Sequence, residues 1–339
     1  MKIQSHSAFW QRIHRAAKNK NFPLRVMFEL TYRCNFNCKH CYIPKSYRNR
    51  GELTTQEVFL VLDELKDIGC FYLGFTGGEP FVRKDIMEIL RYAGRKGFEV
   101  IVYTNGSLLN EKIIKELATL RLNKVDITIP AMSKAAFESI SGVSGSRDKV
   151  FNAIKGLHKR KVSLGFKSCV LKENESEIKD IQDFAASLGA SHRLDDMLNP
   201  RLNGSAGPYR HRGKRDPLRP HNRFDMDTCG VKRTTAATNL FSCGVGKSQA
   251  AVTPQGKLKL CLMIDSPRFR ILREGGMRAD LKAAWAQVKK FVSAIKPDKN
   301  YKCDTCGSQD YCKWCPAQSW LYNKTFTSCI HERNPVRKV

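Results

Sequence analysis

The sequence is poor in acid. Its 59 lysines and arginines face only 32 aspartates and glutamates, for a formal net charge of +27. So large a positive field favours an acidic partner: an acidic peptide, an acidic electron-donor protein, or nucleic acid. Two stretches concentrate the imbalance. Residues 1–25 hold six Lys or Arg and no acid; residues 201–223 hold Arg201, Arg210, Arg212, Lys214, Arg215, Arg219 and Arg223 against Asp216 alone. Elsewhere the excess is spread out, as on a solvated lysine-rich surface.

Other absences narrow the class. No run approaches the roughly eighteen apolar residues of a membrane helix, so no membrane partner is expected. Residues 1–25 contain no apolar h-region, which argues against a secretory signal. Thirteen cysteines in such a chain imply metal ligation in a reducing cytoplasm rather than disulfides. No G-x-G-x-x-G follows the first predicted strand, which weighs against a dinucleotide fold. The remaining composition, 42% apolar and 27% charged over 339 residues, suits one large α/β domain and a smaller one.

What is present is alternation. Phe9, Trp10, Ile13 and Ala17 fall at helical spacing within a basic segment, predicting a short amphipathic helix over 8–17 that packs on the main domain or receives a partner. Strands are predicted at 26–30, 71–75, 98–103, 125–129, 162–171 and 192–198. Helices are predicted between them, from a Thr54 or Thr55 cap to 68, then at 84–96, 110–120, 147–160 and 175–188. Strands alternating with helices imply parallel pairing with right-handed crossovers, as a doubly wound sheet or a full or partial barrel. In such folds ligands bind at the C-terminal ends of strands.

Three motifs fall at such ends. Cys34, Cys38 and Cys41 follow the first strand as C-x3-C-x2-C with Tyr42 next. Three thiolates around an iron–sulfur cube leave one iron open to a small molecule; the alternative is a zinc knuckle closed by His40. Gly77-Gly78-Glu79-Pro80 follows the second strand, and Thr104-Asn105-Gly106 the third. Paired glycines permit close approach of a ligand and supply amide donors. Each of the two, alone, also reads as a strand-ending turn.

Together, in this order and at these separations, the three motifs resemble the radical S-adenosylmethionine (SAM) enzymes over about residues 25–200. The resemblance implies a partial (β/α)6 barrel. It implies a 4Fe–4S cluster on Cys34, Cys38 and Cys41 whose open iron binds SAM, and contacts to SAM from Gly77, Gly78, Glu79, Thr104 and Asn105. Ser133 is a candidate for the SAM ribose, with a turn-and-cap role as the alternative.

Cysteine density rises again near the C-terminus. Residues 201–228 form a basic, Pro- and Gly-containing linker or flap, and Cys243 and Cys261 then flank a hairpin turned at Pro254-Gln255-Gly256. A helix with Leu281, Trp285, Val288, Val292 and Ile295 on one face precedes Cys303, Cys306, Cys312, Cys315 and Cys329. Paired thiol arms at this spacing hold metal, as zinc ribbons or as iron–sulfur clusters. Residues 229–339 resemble the SPASM extension of radical SAM enzymes, which carries two auxiliary 4Fe–4S clusters. That resemblance implies one cluster on Cys243, Cys261 and Cys315 and another on Cys303, Cys306, Cys312 and Cys329. The first is completed by Cys229 or has an open iron. Two departures from that family's pattern stand out: Cys312 and Cys315 are separated by two residues rather than three, and the nearest candidate upstream of the hairpin for a fourth ligand is the distant Cys229. Cys70 and Cys169 fit neither set and read as small core residues.

The function implied is hydrogen abstraction from a peptide or protein, with maturation of a ribosomally made peptide favoured and a flavodoxin- or ferredoxin-like electron donor expected. Residues 1–24 or 201–223 would hold an acidic leader. Tetrapyrrole modification or sulfatase maturation is the nearest alternative. A non-catalytic zinc or nucleic-acid-binding protein accounts for the charge and the second cysteine group, but not for three motifs on one rim.

Overall fold

A computed structural model of the chain describes residues 6–195, 198–213, 240–241, 243–272, 279–299, 301 and 315–328. Helix α1 (His6–Lys20) leads into strand β1 (Arg25–Thr31), and five helix–strand repeats follow. They are α2 (Thr55–Asp67) and β2 (Tyr72–Gly77), α3 (Ile86–Arg95) and β3 (Glu99–Thr104), and α4 (Glu111–Leu117) and β4 (Lys124–Thr128). Helices α5 (Lys134–Ser141) and α6 (Ser146–Lys159) both precede β5 (Leu164–Cys169), and α7 (Ile178–Ser187) precedes β6 (Ser191–Asp195). The expected α/β alternation is present, with one helix more than the periodicity showed. Helix α5 is short, spanning a single cap-to-cap segment from Ser133 to Gly142.

Period-2 alternation decides which face each strand buries. On β1, Val26, Phe28 and Leu30 are almost fully buried and share the core with Val58, Val61, Leu62 and Leu65 of α2. Met27, Glu29 and Thr31 point the other way. At the N-terminus of α2, Thr54 accepts from the Glu57 amide while the Glu57 side chain accepts from the Thr54 amide. That reciprocal cap fixes where the helix begins.

Strands β1 to β6 pair in parallel in sequence order. The sheet does not stop at β1. Its other edge pairs in parallel with β7 (Gln249–Val252), which runs antiparallel to β8 (Lys257–Lys259), itself antiparallel to β9 (Arg268–Arg270). The order is therefore β6-β5-β4-β3-β2-β1-β7-β8-β9, an open barrel continued on one side by the cysteine-flanked hairpin. Helix α8 (Leu281–Ala294) covers that extension and donates its first amide, Leu281, to Glu64 of α2 at 3.0 Å. Helix α9 (Pro316–Asn323) follows Cys315.

Helix α1 packs at the N-terminal ends of the strands. The His14 ring stacks on Tyr72 at 5.8 Å, and Trp285 of α8 donates to the Asn21 carbonyl at 2.7 Å. Residues 198–213 are docked rather than a free linker: the Leu202 amide donates to the Tyr42 carbonyl at 2.9 Å and Lys172 to that of His211 at 3.0 Å. The basic residues Lys214, Arg215, Arg219 and Arg223 lie outside the described residues. Among the described residues no helix is long and apolar enough to cross a membrane.

Candidate active site

The first cysteine loop leaves the C-terminal end of β1 and is held from three sides. The amides of Asn37 and Lys39 donate to the carbonyls of Ser141 and Ile140 at 2.8 and 3.0 Å, so the end of α5 anchors its middle. Arg48 donates to the carbonyls of Phe36 at 2.7 Å and Cys34 at 3.3 Å. Asn105, beyond β3, donates to the Asn35 side chain at 2.9 Å and points the same amide at the Cys34 sulfur, 3.9 Å away.

Burial pushes the Cys34 thiol up to about 11 and Cys38 and Cys41 above the ordinary thiol range. The sulfurs also act on one another: Cys41 and Cys34 raise Cys38 further, as does Cys169 at the end of β5. Three thiols gathered in so desolvated a place resist ionisation until a cationic core reverses the balance. The donor set therefore suits an iron–sulfur cluster. Among the described residues, no three His, Cys, Asp or Glu side chains are placed to hold a single metal ion. His40 is pushed down to about 4 by burial, and the charged groups acting on it are Lys167, His211 and Glu173.

The second motif is welded to the first. Gly77 has φ of 135°, and a Cβ there would sit 2.1 Å from the Thr31 carbonyl oxygen; one on Gly78 would sit 2.1 Å from that of Arg33. The glycines thus serve backbone-to-backbone approach between the two loops. The amide donors expected for a ligand are already engaged, Gly78 with Thr31 at 2.7 Å and Glu79 with Arg33 at 2.9 Å.

Glu79 then ties in the third motif. Its carboxylate, fully buried, accepts from the Thr104 hydroxyl at 2.7 Å, the Asn105 amide at 2.6 Å and the Phe81 amide at 3.1 Å. Burial raises it to about 7, against the pull of those donors. Thr104 in turn accepts from the Gly106 amide at 3.0 Å. One carboxylate joins the ends of β2 and β3, and Asn105 joins both to the cysteine loop.

Ser133 caps α5, accepting from the Ala136 amide at 3.3 Å while its hydroxyl donates to Glu177 at 2.5 Å. Nearby, Glu173 accepts from Lys39 at 3.1 Å and lies 2.6 Å from the His211 Nδ1. A segment after β6 thereby meets the cysteine loop across the rim.

In the second group Cys243 and Cys315 lie within electrostatic reach of Cys261. Burial lifts Cys261 to about 12, the thiols of Cys315 and Cys243 add to it, and the Met263 amide and Lys259 oppose it. Cys315 is raised by burial as well. Cys229, Cys303, Cys306, Cys312 and Cys329 lie outside the described residues. Cys70 is a core residue two positions before β2. Cys169 is core too, but its thiol interacts with Cys41, a nearness that its place at a strand's C-terminal end signals.

Sequence reasoning missed one feature altogether. Glu29 and Lys259, both fully buried, form an ion pair of 2.8 Å. The signal lay in the alternation of β1, where an acid falls on the face opposite Val26, Phe28 and Leu30 and is nevertheless fully buried.

Comparison with known proteins agrees with this geometry. Residues 28–185 match the Radical SAM superfamily. Mycofactocin maturase MftC of Mycolicibacterium smegmatis is 27% identical over 314 residues, covering 86% of this chain and 77% of that protein. The AdoMet-dependent heme synthase of Methanosarcina barkeri is 33% identical over 171 residues, 50% of this chain and 49% of its own. Among solved structures, Streptococcus suis SuiB bound to precursor peptide SuiA superposes with a TM-score of 0.70 at 16% identity. It covers 97% of this chain and 80% of that one. At that identity the likeness speaks for the fold.

Proposed function

From the match of residues 28–185 to the Radical SAM superfamily we propose that the chain matures a peptide by hydrogen abstraction, using one SAM-binding and two auxiliary 4Fe–4S clusters. The observation that carries the reading is the joining of three motifs into one rim by Glu79 and Asn105. The extent of the match to a peptide maturase, 86% of the chain, supports a peptide over a tetrapyrrole, since the heme synthase matches only half.

When bound, SAM and its cluster supply a 5′-deoxyadenosyl radical that removes hydrogen from a carbon. Cys34, Cys38 and Cys41 would hold that cluster. The SAM amino group is a hydrogen-bond donor and needs acceptors, a demand compatible with Gly78 and Glu79 amides that already donate to the carbonyls of Thr31 and Arg33. Asn105 and Arg48 keep the loop in place from opposite sides. Residues 198–213 are tied to the cysteine loop through the Leu202–Tyr42 bond. Cys243, Cys261 and Cys315 would hold one auxiliary cluster, and the remaining C-terminal cysteines the other.

The test is isotopic. With a deuterated peptide encoded beside the gene, deuterium is expected in 5′-deoxyadenosine. Deuterium arriving only from a tetrapyrrole would replace the substrate class while keeping the chemistry.

The acidic partner has a surface to meet. A groove of 360 Å³ is lined by Lys247, Lys289, Lys290 and Lys296, between α8 and the turn that carries Cys243. None of these lysines makes an ion pair among the described residues. Exposed charges are screened over about 8–10 Å at physiological ionic strength, so binding of an acidic peptide or an acidic flavodoxin weakens as salt rises. Changing Lys289, Lys290 and Lys296 to Glu is expected to slow association more than dissociation. Association rates equal to wild type in stopped-flow measurements would remove the groove from that role.

A further inference from the structure

The buried pair Glu29–Lys259 joins the two cysteine-bearing parts of the molecule. Lys259 ends β8 and precedes Cys261 by two residues; its Nζ lies 2.8 Å from Glu29 Oε2 and donates to the Leu262 carbonyl at 3.2 Å. Glu29 belongs to β1, from which the first cysteine loop departs. Its Oε1 accepts from the hydroxyl of Tyr42, the residue after Cys41, at 3.0 Å, and its Oε2 from Tyr32 at 3.2 Å. Strand β8 meets β1 only through β7, so in the sheet itself nothing bonds the two directly.

Stability alone does not explain such a pair. Removing two opposite charges from water costs about what their attraction returns, and apolar residues of equal volume often serve as well. A buried ion pair differs from an apolar contact in being directional. It is satisfied at one distance and in one register, and any slip of the hairpin along β1 would strand two charges in the core.

We propose that Glu29 and Lys259 are positioning residues that lock the hairpin bearing Cys261 against the segment bearing Cys41 and Tyr42, and so fix the auxiliary cluster relative to the SAM-binding one. This rests on the reading of those cysteines as cluster ligands. Lys259 is also the buried cation beside the auxiliary thiols, with Glu29 as its counter-charge.

The test uses the full chain with Lys259→Met, Glu29→Gln, and both together. In the apoprotein, amide exchange of residues 257–262 is expected to quicken roughly a hundredfold in each single variant, because each leaves one buried charge uncompensated. The double variant removes both charges and is expected to return to within about tenfold of wild type. After anaerobic reconstitution, EPR-monitored titration should find the auxiliary potential lowered in Lys259→Met, raised in Glu29→Gln, and intermediate in the double. If the single variants fail to fold while the double folds, the pair is confirmed as a unit. Equal losses in all three variants, a double variant that does not fold, or potentials that move the same way in both singles would overturn the proposal. The exchange readout needs neither SAM nor substrate, so its outcome is separate from that of the deuterium experiment.

Discussion

Replacing Cys34, Cys38 and Cys41 together by alanine is expected to abolish dithionite-dependent release of 5′-deoxyadenosine while leaving the auxiliary clusters in place. The two thiol groups are electrostatically distinct. Cys38 responds to Cys34, Cys41 and Cys169, whereas Cys261 responds to Cys243 and Cys315. Iron after anaerobic reconstitution should fall from about twelve to about eight per chain, the loss of one four-iron cluster. The fold should survive, because the loop is anchored through backbone bonds to α5 and through Arg48 rather than through its thiols. A triple variant that still cleaves SAM at the wild-type rate would refute the assignment. So would a wild-type protein that takes up stoichiometric zinc and shows no charge-transfer absorption.

Glu79 should be nearly as sensitive. Alanine there would strand the Thr104 hydroxyl and the amides of Asn105 and Phe81 in a buried site. Each such group costs about 1–3 kcal/mol when left unpaired, so a loss on the order of 3 kcal/mol or more is expected. SAM binding should fail with it, since the second and third motifs would no longer share an anchor. Glutamine is the subtler probe. The Glu79 carboxyl is raised from an ordinary 4.5 to about 7, so the fold favours its neutral form. The stability this confers is complete below pH 4.5 and is lost as pH rises through about 7. The difference amounts to about 3 kcal/mol as an order of magnitude. Thermal unfolding of the apoprotein should therefore show wild type losing ground to Glu79→Gln between pH 5 and pH 8. Parallel curves for the two proteins would show that the carboxyl is ionised in the fold throughout.

Much of this architecture was legible because it rests on local pattern. The apolar runs at 26–30, 71–75 and 98–103 stand within two residues of β1, β2 and β3 at their starts. Turn chemistry at Pro254-Gln255-Gly256 located the β7–β8 hairpin. What escaped was non-local or short. Nothing in a sequence announces that Lys259 reaches Glu29, because the pairing depends on β7 joining the sheet beside β1. Helix α5 has eight residues, too few for a periodic signal to separate it from a capped turn at Ser133. The 198–213 segment lacks periodicity because its order comes from docking on the rim, not from any helix or strand of length. In the sequence the glycines of the second motif read as room for a ligand. In the structure they admit the backbone at the end of β1 and just beyond it, at Thr31 and Arg33.

The junction of β7 with β1 has a consequence for how the molecule divides. Residues 25–28 pair with 249–252, so the far side of β1 is an inner seam of the sheet. A fragment ending before the hairpin would turn that seam into a bare edge, with the unpaired amides and carbonyls of a strand whose Val26 and Phe28 are core residues. Exposed apolar edges recruit strands from other chains. The cysteine-rich part is therefore not an appendage that can be cut away or exchanged without cost. It is also the guard on the barrel's open side, and shortened versions of this chain should be collected from inclusion bodies rather than from solution.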